Sequence, residues 1–124
     1  MEFLERFLAG EIPPQNFRHA DHVRAGYELL RTREFLDAAK IYCGVLKQMT
    51  ARIGKPEVFH QTVTLAFLAL IAERMESGRE QDFQSFADAN PDLMEKSALA
   101  RWYSPEKLQA PFARRSFALP DRAP

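Results

Sequence analysis

The chain has 124 residues, enough for one domain built on a single core. Hydrophobic residues make up 46% and charged residues 27%, with 17 Lys and Arg balanced by 17 Asp and Glu. Zero net charge argues against nucleic-acid binding, which draws on clustered cations, and a single cysteine, Cys43, excludes an internal disulfide and a CxxC metal or redox site.

Ala and Leu outnumber Val and Ile, which favours helix over strand. Phe3, Leu4, Phe7 and Leu8 recur at helical spacing, and Gly10 with Pro13-Pro14 ends this first helix and its loop within residues 1–15. Glu2 and Glu5 inside that pattern do not read as a signal peptide. Asn16 is placed to cap a second helix running to about Arg31, with His19, His22, Val23, Gly26 and Leu30 on its core-facing side. A third helix is expected from Glu34 to Ile53, stopped by Gly54.

Pro56 suits the first turn of a fourth helix, from about Glu57 to Met75. Its VTLAFLALIA segment is apolar nearly all round, which belongs at the centre of a bundle. The charge-free stretch from Val58 to Ala72 is too short to cross a bilayer, and a soluble, cytoplasmic protein with no membrane or nucleic-acid partner is expected.

Gln81–Asn90 and Asp92–Tyr103 read as two shorter helices broken at Asn90-Pro91. Ser104-Pro105-Glu106 opens a last turn or two through Gln109, anchored by Trp102 and Tyr103. Residues 110–124, with Pro111, Pro120 and Pro124, read as an extended tail pinned across the bundle by Phe112 and Phe117. The expectation is an all-α, compact single-domain bundle of about five to six helices with an irregular C-terminal tail. Ala25–Leu46 has the rhythm of one tetratricopeptide unit. No second copy follows, so a helical hairpin reaching the pattern by packing is the simpler reading.

All three histidines fall in two clusters, FRHADH at Phe17–His22 and VFHQTVT at Val58–Thr64. Residues three apart on a helix have Cβ atoms roughly 5–6 Å apart. His19 and His22 can therefore share one ligand, with His60 the only third imidazole. Three neutral imidazoles with an open position describe a site for a divalent transition metal: Zn, Fe, Ni or Cu. A bound water would then become a nucleophile near neutral pH.

Glu57, one turn before His60, is the candidate general base. Thr64, one turn after it, is the candidate for orienting the ligand by a hydrogen bond. Asp21 lies about 200° from His19 and 100° from His22 on a regular helix, which suits a helix-dipole partner or a supporting hydrogen bond. Thr62 points away from His60 and is expected to bond the carbonyl one turn back. The plainer reading makes each histidine a core residue satisfied by a carbonyl or hydroxyl, His60 by Thr64 and His22 by the backbone.

FRHADHVRAGYELL, FHQTVTLAFLALI and WYSPEKLQAPFARRSFALPD together resemble a group of small uncharacterised bacterial helical proteins. Their pattern has F-x-H-x-x-H early, an aromatic-His-x-T-x-T segment in mid-chain, and a Tyr-Ser stretch running to a Pro-Asp. The resemblance implies that His19, His22, His60, Thr62 and Thr64 are the motif positions, with Phe59 standing where tyrosine is expected. It implies no reaction. The function expected from the residues is a metal-binding protein or small metal-dependent enzyme acting on a small molecule. The alternative is a non-catalytic helical interaction module for a peptide or protein partner. Whether the protein is an enzyme stays open at this level.

Overall fold

The computed structural model describes residues 2–122. Its helices are α1 (Phe3–Leu8), α2 (His19–Thr32), α3 (Phe35–Arg52), α4 (Gln61–Ser77), α5 (Phe83–Ala89), α6 (Pro105–Gln109) and α7 (Pro111–Arg115). Short 3-10 segments lie at Pro14–Asn16, Pro56–Val58, Pro91–Met94 and Lys96–Arg101, and no strand forms among the described residues. The all-α expectation is met, with more and shorter pieces than the sequence suggests. No helix among the described residues is long and apolar enough to cross a membrane.

Glycine punctuates the first half as expected. Gly10 and Gly54 take positive φ, +71° and +72°, directly after α1 and α3. Each closes its helix with the paired backbone bonds of a Schellman motif: Glu11 N–H to Arg6 O with Gly10 N–H to Phe7 O, and Lys55 N–H to Thr50 O with Gly54 N–H to Ala51 O. A side chain at either position would strain the backbone. α2 begins at His19, with the Arg18 backbone N–H donating to Asp21 Oδ2 at 2.9 Å. Asn16 belongs to the preceding 3-10 turn and is not the cap.

α2, α3 and α4 form the centre. Phe7, Ala25, Leu29, Ala38, Tyr42, Leu46, Met49 and Leu68 make one buried cluster. Val23, Tyr27, Ile71, Phe86 and Leu93 make a second, and Phe67, Leu99 and Tyr103 a third. α2 and α4 meet at Gly26, where an added Cβ would stand 3.1 Å from both Leu68 Cδ1 and Ile71 Cδ1. That is closer than ordinary van der Waals contact, so the missing side chain sets how near the two helices come.

The second half departs further from expectation. The segment after Pro91 makes two 3-10 turns in place of one helix. Arg74 on α4 fixes the first turn by a two-pronged bond to Asp92, Nη1 to Oδ1 at 2.9 Å and Nη2 to Oδ2 at 2.7 Å, and Nη1 also reaches Asn90 Oδ1. Pro111 opens α7, its missing N–H costing nothing at a first helical position. Residues 111–115 are therefore helical, where an extended tail was expected. Ala123 and Pro124, at the end of that expected tail, lie outside the described residues.

Phe112 and Phe117, expected to pin the tail, stay 50% and 41% exposed. Thr62, fully buried, pins it. Its hydroxyl donates to Ser116 O and accepts from Ala118 N–H, both at 2.9 Å. Tyr103 Oη donates to Ala118 O at 2.8 Å, and Asp121 accepts from both the backbone N–H and the hydroxyl of Ser104. Thr62 thus bonds across the fold and not to the carbonyl one turn back.

Replacing Thr62 by Val keeps the shape and strands a buried N–H and a carbonyl. Thr62→Val should lower stability by about 2–3 kcal/mol, read by urea unfolding. The Ala118 amide should exchange faster with solvent, while Thr62→Ser should keep most of its protection.

Candidate functional site

One cavity of about 810 Å³ opens between the first turns of α2, the second half of α3 and the first half of α4. His19, His22 and His60 all line it, with Phe17, Phe59 and Phe67 among its aromatic walls and Leu46, Met49, Val63 and Ile71 among its aliphatic ones. The two histidine clusters therefore reach the same space. They do so in different ways.

His60 is not on a helix. The fourth helix starts at Gln61, and His60 is its N-cap in extended conformation, φ −126° and ψ 108°. Its Nδ1 accepts the Val63 N–H at 3.1 Å, doing for the first turn what an Asn or Asp oxygen usually does. A carbonyl can only accept, so Nε2 carries the proton and donates to Leu108 O at 2.7 Å. Both ring nitrogens are spent, one starting α4 and one holding α6. Thr64 closes the same turn, its hydroxyl donating to His60 O at 2.7 Å.

His19 is half committed. Its Nε2 donates to Leu93 O at 2.9 Å, and its ring stands edge-on to Phe67 at 5.1 Å between centroids. The carbonyl it meets is held in place by the Arg74–Asp92 pair on the preceding residue. No protein group bonds its Nδ1 among the described residues.

His22 is the exception. Its ring has no hydrogen-bond partner among the described residues. It packs edge-on against Phe17 at 4.5 Å, and Phe17 stacks on Phe7 of α1 at 5.6 Å. Its own carbonyl accepts from the Tyr42 hydroxyl at 2.9 Å, which fixes the backbone beneath the ring. Burial, helped by His19 and Lys96 and opposed by Asp21, pushes the imidazole down to about 4. At neutral pH it is uncharged, with one N–H donor and one bare nitrogen.

The sequence-predicted residues thus separate. His19, His22, His60 and Thr64 line the cavity; Glu57, Asp21 and Thr62 do not. Glu57 sits exposed in the 3-10 turn before His60, and its carbonyl accepts from Arg114 Nη1 at 2.9 Å. A helix running from Glu57 would have put that carboxylate one turn from His60; the separate turn removes the geometry behind the general-base expectation. Asp21 serves the first turn of α2, as its helical phase implied. Among the described residues no three His, Cys, Asp or Glu side chains are grouped closely enough to hold a metal ion.

No family model matches the chain, and searches of curated proteins and of solved structures return no match either. Sequence reasoning missed Phe17 and Phe67 as ring partners, the carbonyls of Leu93 and Leu108, and Lys96 in the lining. Of these only Phe17, inside F-x-H-x-x-H, carried a signal. Cys43 is partly buried, and burial pushes its thiol up, away from the reactive thiolate.

The lowered His22 has a consequence for stability. In the unfolded chain its imidazole returns to about 6.5, so between that value and about 4 the unfolded state binds more protons and stability falls as pH drops. Urea unfolding at pH 7 and pH 4.5 should show His22→Phe losing less stability on acidification than the parent, by about 2 kcal/mol. Equal losses in the two proteins would show that His22 titrates normally.

Proposed function

We propose that the protein binds a small, largely apolar molecule in this cavity, with the His22 imidazole as the group that addresses it. The observation that carries this reading is the contrast among the histidines. His60 and His19 spend ring nitrogens on backbone carbonyls, while His22 lines the same cavity with both nitrogens unclaimed by the protein. Among the described residues Arg24 Nε is the buried side-chain atom left without a partner, so the half-buried His22 keeps its ring nitrogens in contact with solvent, free to bond a molecule that displaces water there. A volume of about 810 Å³ falls within the roughly 300–1,000 Å³ typical of small-molecule sites. Apolar walls supply most of the binding surface, and a neutral imidazole can both give and take a hydrogen bond.

The reading is tested by following the histidine ring ¹⁵N resonances during titration with small aromatic alcohols and amides. Binders should shift His22 more than His60 and raise the melting temperature. His22→Phe should weaken them by up to about tenfold, the scale of one lost hydrogen bond. A protein whose His22 signals and melting temperature respond to none of them is not a small-molecule binder of this kind.

A metal-dependent version has one specific observation in its favour. His19 leaves Nδ1 without a protein partner one turn from the unpartnered His22, so two imidazoles of α2 are open to a shared ion. Zn, Fe, Ni or Cu would take these two, with water or substrate completing the shell, and His60 would stay outside it. Elemental analysis and metal-dependent melting curves should then show binding that His22→Ala abolishes and His60→Ala preserves. Absence of binding by all four metals removes this version and leaves the metal-free site standing.

A further inference from the structure

The charged residues lining the cavity have one sign. Arg18 and Lys96 are part of its wall, and no Asp or Glu is, in a chain whose formal charges otherwise cancel. Neither cation is in an ion pair among the described residues; the pairs that form are Arg24–Glu28, Arg31–Glu28 and Arg74–Asp92. Asp21 stands outside the lining and takes the Arg18 backbone N–H, and its charge at the His22 imidazole opposes that of Lys96. Both cations are exposed residues, whereas Phe67 and Leu46 deeper in the wall are buried. Arg18 and His22 belong to the start of α2, and Lys96 is close enough for its charge to act on the His22 imidazole.

Resting on the reading of this cavity as a small-molecule site, we infer that its ligand is an amphipathic monoanion: an apolar body carrying one anionic head group. The body lies against Leu46, Met49, Phe59, Val63 and Phe67. The head meets the Lys96 ammonium and the Arg18 guanidinium, and the His22 N–H donates to one of its oxygens. Neutral His22 suits this arrangement, since it contributes a directed donor while the exposed cations supply the charge. A cationic ligand would face two like charges in the wall, with Asp21 outside it as the opposing charge felt at His22.

Two fluorescent probes with the same anilinonaphthalene body separate the contributions: anionic 1-anilinonaphthalene-8-sulfonate and neutral N-phenyl-1-naphthylamine. At low salt the sulfonate should bind one-to-one and more tightly. Lys96→Met and Arg18→Gln should each weaken it about three- to fivefold, the scale of an exposed charge pair, without changing the neutral probe. Added NaCl should weaken the sulfonate alone. Thr50→Trp, placed in the cavity wall, should weaken both probes while its circular dichroism stays native; Val63→Trp serves if it does not. Equal affinities for the two probes, or a sulfonate indifferent to Lys96 and Arg18, overturn the anionic head and leave the cavity reading intact. If neither probe binds, or if folded wall variants leave both unaffected, the cavity reading fails and this inference with it.

Discussion

The seating of α2 on α4 at Gly26 is the constraint on which the rest depends. With no side chain there, the Leu68 and Ile71 Cδ1 atoms come within 3.1 Å of where a Cβ would stand, so side chains of α4 pack directly onto the backbone of α2. Toward the start of α2 the contact is made by rings, His19 against Phe67 with centroids 5.1 Å apart. Tight contact at Gly26 and bulky ring contact at the first turn leave an opening beside α3, whose Tyr42, Leu46 and Met49 form the facing wall. Phe17 and Phe7 back His22 from the side of α1. The cavity lies toward the start of α2 from that Gly26 contact, where His19 and His22 line it.

Around that opening the polar groups divide into those that build and those that remain unclaimed. His60 starts α4 and holds α6; Thr64 completes the same turn; Thr62 carries the tail; His19 holds the 3-10 turn at Leu93. Each is a buried or half-buried group matched to a backbone partner, as low-dielectric surroundings require. His22 alone among the motif residues is held by packing and by its backbone, through Tyr42, and not by its ring. The three-histidine pattern of the sequence thus separates into His60, with both ring nitrogens committed to the scaffold, and His19 and His22, which keep one and two ring nitrogens without a protein partner among the described residues.

The ends of α1 and α3 and the start of α6 were legible because they are local events, whereas the start of α2 fell at His19 and not after Asn16. Gly10 and Gly54 occupy the left-handed positions that end α1 and α3, and Ser104-Pro105 starts α6 with the expected bond from Lys107 N–H to Ser104 Oγ. Where an element depends on a distant partner, local reading failed. The start of α4 shifts from Glu57 to Gln61 because His60 turns its ring to cap the helix and meet Leu108, 48 positions downstream. The helix expected over Asp92–Tyr103 breaks into 3-10 turns, the first tied to Arg74 of α4. That the three histidines share a space was legible from their phasing and their apolar surroundings. Which of them would be free was not, since Leu93 O, taken by His19, lies 74 positions away. Nothing local marks Lys96 as part of the wall.

The bonds at the head of α4 also bear on the order of events in folding. α4 carries an almost uninterrupted apolar run, yet His60 and Thr62 find their partners only 48, 54 and 56 positions later, in Leu108, Ser116 and Ala118. Long-range closures come late because chain entropy must be given up before they return any bonding energy. The α2–α3 hairpin, closed over a short span by Tyr42 on the His22 carbonyl, can assemble first and leave one side of the cavity open to water. The polar anchors at the head of α4 therefore stay unmet until residues 108–118 are in place. That makes the head of α4 the segment most in need of protection from wrong partners while the chain is incomplete.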